Sequence, residues 1–80
     1  MNGDEHRRSQ VVDRVGRLSR RELEILGLLG DGLSNRGISR RLGISERTVK
    51  FHVSSLLSKL GAKNRTQAVR LARERGLIPS

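Results

Sequence analysis

Eighty residues suffice for one small domain and leave no room for a second with its own core. Cysteine is absent and His6 and His52 lie far apart, so disulfides and thiolate sites are excluded and no metal or cofactor is expected. Seventeen Lys and Arg against eight Asp and Glu leave a net charge of +9, which favours a polyanionic partner.

The excess charge is uneven. Residues 1–17 carry four positive and three negative side chains, residues 18–61 eight and four, and residues 62–80 five and one. The partner is expected to meet the body and the C-terminal segment. No run approaches the roughly 18–20 apolar residues of a membrane span. The opening MNGDEHRRSQ has acids and no apolar stretch, so it does not read as a signal peptide. The expected location is therefore the cytoplasm, with no membrane partner.

Residues 1–17 read as a flexible tail or linker, with Gly3, Gly16 and mixed charge. Val11, Val12 and Val15 fit one face of a short helix without a cap. The domain proper is expected over 18–80. Ser19 is a good N-cap, Glu22 completes a capping box, and Leu18 and Leu23 have the spacing of a hydrophobic staple. Ile25, Leu26, Leu28 and Leu29 supply a broad apolar surface, and Gly30-Asp31-Gly32 ends this first helix. A short second helix is capped by Ser34, faces Ile38 and Leu42 inward and stops at Gly43. The third runs over 45–60 from a Ser45 cap. Its Val49, Val53, Leu56, Leu57 and Leu60 form one apolar stripe, and Gly61 follows. The fourth begins near Asn64 or Thr66, with a weak Asn64–Gln67 capping box. It passes through Ala68, Val69, Leu71 and Ala72 and ends at Gly76 before Pro79. No segment alternates as a strand does, so the fold class is all-α: four short helices with a central helix-turn-helix.

That central unit is the motif with functional content. A capped helix, a glycine turn and a second capped helix are the parts of a major-groove reader. Opposite the apolar stripe of the third helix lie Arg47, Phe51, Ser54, Ser55 and Ser58, with Thr48 and Lys50 at its edges. Small residues permit close approach to a duplex. Lys50 suits guanine O6 or N7, Ser54 pairs with several base edges, and the apolar ring of Phe51 suits a thymine methyl. Lys50 and Arg47 also fit ordinary solvated charges, and Phe51 also fits packing over a neighbouring element. His52 flanks the core face and reads as a packing residue. Phosphate contacts position such a helix. Candidates are Ser34, Asn35 and Arg36 at the start of the second helix, with Thr48, Lys59, Lys63 and Arg65 at the edges of the third helix and the loop after it.

The stretch Leu18 to Ala72 resembles the LuxR/GerE-type helix-turn-helix family. The resemblance is carried by Leu18-Ser19-Arg20-Arg21-Glu22, Gly32-Leu33-Ser34-Asn35-Arg36, Ile44 through Val53, Lys59-Leu60-Gly61 and Arg65-Thr66-Gln67-Ala68. It implies a four-helix DNA-binding domain of a bacterial, nucleoid-associated transcription regulator, with Lys50, Phe51 and Ser54 facing bases. It places Thr48, Lys59 and Arg65 near phosphate; Ser34, Asn35, Arg36, Arg47, Ser58 and Lys63 complete the expected phosphate edge. It also implies a homodimer on double-stranded DNA, paired through a fourth-helix face that includes Val69, Arg70 and Arg73. Such domains are commonly attached to a receiver or a ligand-binding domain. The chain therefore reads as a stand-alone regulator or as the excised effector domain of a response regulator. Gly37 stands where the family usually has glutamate, which breaks a capping box with Ser34 and is expected to let the second helix fray. Ser39 replaces a common alanine.

The alternative reading is a promoter-recognition fragment similar to the last region of a sigma factor, working with RNA polymerase. A third is a protein-interaction module that uses the motif without DNA. An enzyme is not expected: there is no convergent acid–base pair, no nucleophile with a base in reach and no phosphate-binding glycine loop.

Overall fold

Four polar caps open four helices, and each does so by the same local chemistry. The computed structural model describes residues 18–79, so the tail reading of residues 1–17, with its valine face, lies outside the described residues. Helix α1 spans Arg20–Gly30, α2 Asn35–Leu42, α3 Glu46–Leu60 and α4 Arg65–Glu74, and no strand occurs among the described residues. The all-α class and the helix order agree with the sequence pattern.

The Ser19 capping box is complete. The Glu22 N–H donates to Ser19 Oγ at 3.0 Å, and the Ser19 N–H donates to Glu22 Oε1 at 2.8 Å. Ser34 Oγ accepts from Gly37 N at 3.1 Å and Ser45 Oγ from Thr48 N at 3.0 Å. Asn64 Oδ1 accepts from Gln67 N at 2.8 Å. Gln67 does not close a box on Asn64; its Oε1 instead accepts the N–H of Lys63, one residue earlier, at 2.6 Å. These caps satisfy N–H groups that no helical carbonyl reaches.

The turn between α2 and α3 depends on Gly43, which sits at φ 69° and ψ 34°. A side chain there is strained in this left-handed region, so glycine lets the chain reverse within two residues. Ser39 reinforces the turn: its Oγ donates to the Ile44 carbonyl at 2.6 Å, and Ile44 N donates to the Ser39 carbonyl at 3.1 Å. The serine that replaces a common alanine is thus a staple for the turn, beyond being small.

The core is formed by Leu18, Ile25, Leu26, Leu29, Ile38, Val49, Val53, Leu56, Leu60, Ala68, Ala72 and Ile78. Helices α1 and α3 each pack against all three other helices, and α2 and α4 flank them. Full burial of a Leu, Ile or Val is worth about 1.5–3 kcal/mol, so this cluster is the main source of stability. The staple expectation divides. Leu18 joins the core, whereas Leu23 stays exposed, because α1 turns that side toward solvent. Ile78 closes the far end. A β-carbon on Gly30 would stand 2.9 Å from its Cδ1, so the glycine makes room for the returning chain.

Candidate nucleic-acid interface

The second helix of the motif, α3, has two unlike sides. Val49, Val53, Leu56 and Leu60 are buried. On the other side Arg47, Lys50, Phe51, Ser54 and Ser58 are exposed. Phe51 is 70% exposed, the largest apolar side chain offered to solvent among the described residues. Among the described residues it does not fold back over another element; its ring meets that of His52 edge-on, with centroids 5.8 Å apart. His52 is half-buried, in keeping with a flanking position. An exposed aromatic beside two cations and small hydroxyls is costly as a bare surface and useful against a base edge.

The remaining candidates fall into two groups. Thr48 is half-buried at the start of α3, and its Oγ1 accepts a hydrogen bond from Ser45 Oγ at 2.9 Å. Ser34, Arg36 and Lys63 are exposed. Asn35 and Arg65 meet each other: Arg65 Nη1 donates to Asn35 Oδ1 at 3.3 Å, and Nη2 donates to the Leu33 carbonyl. Arg65 thereby ties the start of α4 to the start of α2. A guanidinium has five N–H donors, so these bonds leave capacity for a phosphate oxygen. On α4, Val69 is half-buried and Arg70 and Arg73 are exposed. Arg73 Nη2 donates to the Gly30 carbonyl at 3.2 Å and brings a cation to the negative end of α1, whose last turn has no basic residue.

Ser55, expected on the outer side of α3, and Lys59, expected at its phosphate edge, are committed elsewhere. Ser55 is half-buried, not outward, and its Oγ donates to Glu22 Oε2 at 2.6 Å. Lys59 Nζ donates to Glu22 Oε1 at 2.8 Å. Glu22, only 3% exposed, therefore serves both as N3 of the α1 capping box and as the anchor for the C-terminal half of α3. Burial alone would push its carboxyl pKa up. The hydrogen bonds from Lys59, Ser55 and the Ser19 N–H outweigh that and hold it down, from 4.5 to about 2. Sequence reasoning found the capping role, which is local. It missed the anchor, and the only signal for it is an acid at a helix start whose turn neighbours on α1 are apolar.

A capped helix, a glycine turn and a second helix whose polar side stays open define a helix-turn-helix nucleic-acid-binding domain. The family described as bacterial regulatory proteins, luxR family, matches residues 16–72. The chain belongs to that family, and it is a DNA-binding transcription-regulator domain. It is similar to the transcriptional regulatory protein DegU of Brevibacillus brevis, with 58% identity over 52 residues that cover 65% of this chain and 22% of DegU. Among solved structures, the transcription factor GerE superposes with a TM-score of 0.71 at 41% identity, over 76% of this chain and 91% of GerE. VqmA of Vibrio cholera, in a ligand–DNA complex, gives 0.71 at 42% identity, over 75% of this chain and 26% of VqmA. The chain spans about a quarter of the length of the curated regulators it matches, DegU among them. No helix among the described residues is long and apolar enough to cross a membrane.

Proposed function

We propose that this domain reads duplex DNA by laying α3 in the major groove, with Lys50, Phe51 and Ser54 at base edges. Ser34, Asn35, Arg36, Arg47, Thr48, Ser58, Lys63 and Arg65 then lie along the phosphates. Lys59 contributes less there, because its ammonium is engaged by Glu22. One observation carries the reading: the exposed strip Arg47, Lys50, Phe51, Ser54 and Ser58 runs along a helix whose opposite side is buried. A rigid helix with cations, small hydroxyls and one bare ring has the width and chemistry of a groove reader.

The domain works as a homodimer on two half-sites, paired through the α4 face that includes Val69, Arg70 and Arg73. The duplex holds both copies in place and lowers the charge between them. A relative solved in a ligand–DNA complex supports the DNA-binding part of this reading. The site of action is the bacterial chromosome in the cytoplasm, and the role is regulatory, not enzymatic.

The test is selection of bound duplexes from a random pool. The wild-type domain is expected to enrich two half-sites about 10 base pairs apart, centre to centre. Lys50→Ala is expected to lose preference at one position of each half-site while still binding. Enrichment of the same motif by the variant would remove Lys50 from base reading. Failure of the wild type to enrich any motif would overturn the assignment. Affinity should also fall steeply with salt, as phosphate neutralisation requires.

A further inference from the structure

An open cleft of about 600 Å³ lies between the C-terminal end of α1, the loop that follows it and α4. Its lining includes the apolar Leu29, Leu33 and Val69 and three arginines, Arg65, Arg70 and Arg73. Among the described residues, none that lines it carries a carboxylate. The volume is in the range of natural ligand and peptide clefts. We infer that this cleft docks an acidic peptide segment of a partner protein, with one or two apolar side chains over Leu29, Leu33 and Val69 and carboxylates on the arginines.

Three features select that occupant. Two of the three arginines are held in place, Arg65 by the Leu33 carbonyl and Asn35 and Arg73 by the Gly30 carbonyl, and Arg70 is exposed beside them. Fixed forks of this kind bind carboxylates in two-pronged fashion, with little entropy left to lose. Ser34 and Arg65 at its rim are shared with the proposed phosphate edge, but a phosphate track needs only cations and gains nothing from the leucines and valine that line the rest of the cleft. A second copy of this chain brings its own arginines to the same place, so off DNA the cleft repels its copy and attracts acid. A segment seated there covers Val69 and Arg70 and excludes pairing through α4, which links this inference to the dimer reading without depending on it.

The experiment uses a labelled synthetic peptide with leucines at i and i+4 and glutamates between them, read by fluorescence anisotropy on the full chain. Arg70→Glu is expected to weaken binding about tenfold or more. Arg20→Glu makes the same charge change at the opposite end of α1, roughly 15 Å away, and should weaken binding less than about twofold in moderate salt. Serine in place of the leucines should also abolish binding. Equal losses in the two variants would reduce the effect to net charge and overturn the proposal. So would undiminished binding of the serine peptide, which would make the cleft part of the nucleic-acid surface. A melting curve for each variant separates loss of the cleft from loss of the fold. Duplex selection on the same preparation is read independently, so failure of one reading leaves the other standing.

Discussion

The two halves of α3 are built on opposite terms. From Glu46 to Ser54 the solvent side makes no side-chain bond to another helix among the described residues, and Arg47, Lys50, Phe51 and Ser54 stay exposed. From Ser55 to Leu60 the polar side chains Ser55 and Lys59 are drawn onto Glu22 of α1. One half is clamped so that the other can be presented. The proposed groove reading needs a helix that holds its angle to within the reach of a hydrogen bond, and a buried carboxylate with three donors provides that hold.

This contrast is open to attack at both ends. The largest effect is expected from Glu22→Ala, which removes the capping box and strands Ser55 and Lys59. Its loss should be about 3 kcal/mol, the lower end for a broken buried pair because Lys59 is partly exposed. A urea titration measures it, and a loss below about 1 kcal/mol would mean that the clamp is ornamental.

Acid should release the same clamp. The Glu22 carboxyl has a folded pKa of about 2 against an ordinary 4.5, so between these values the unfolded chain binds more protons. The stabilisation is complete above about pH 5 and falls as pH drops toward 2, by up to about 3 kcal/mol at 1.36 kcal/mol per unit. Glu22→Gln should flatten that part of the stability profile, and an unchanged profile would assign the acid sensitivity to other carboxyls.

The free half should behave in the reverse way. Phe51→Ala is expected to change stability by less than about 0.5 kcal/mol, as for an exposed position. It should reduce discrimination at one base pair by about 1 kcal/mol if the ring meets a thymine methyl. Parallel denaturation and competition binding check both halves of that statement. The smallest effect is expected in α2. A β-carbon at Gly37 would meet only ordinary contacts, at 3.5 Å to Ser34 Oγ and 3.6 Å to Leu33. Gly37→Ala should therefore stabilise by about 0.5–1 kcal/mol, visible as a raised melting temperature.

Much of the exposed face of α3 was legible in the sequence because such a face is set by local periodicity. Arg47, Lys50, Phe51 and Ser54 lie where counting from Val49 puts them, and bulk solvent asks for no further information. Phe51 had two readings, and its 70% exposure removes the one that packs it over a neighbouring element. Ser55 failed on the same count because the count sees only its own helix, and the Glu22 carboxylate of α1 takes up its hydroxyl. Ser39 was read as small when its hydroxyl is what matters, since the carbonyl it meets appears only once the turn has closed.

Helix limits, caps, the glycine turn and the apolar stripe were determined by the sequence alone, since each depends on partners within four or five residues. The tertiary structure alone decided which polar groups would be used up inside the protein. Glu22 with Ser55 and Lys59, Arg65 with Asn35 and Leu33, and Arg73 with Gly30 are joined across 30 to 43 residues of chain. Such pairs form only after hydrophobic burial has brought the helices together, and no spacing rule along a single helix encodes them.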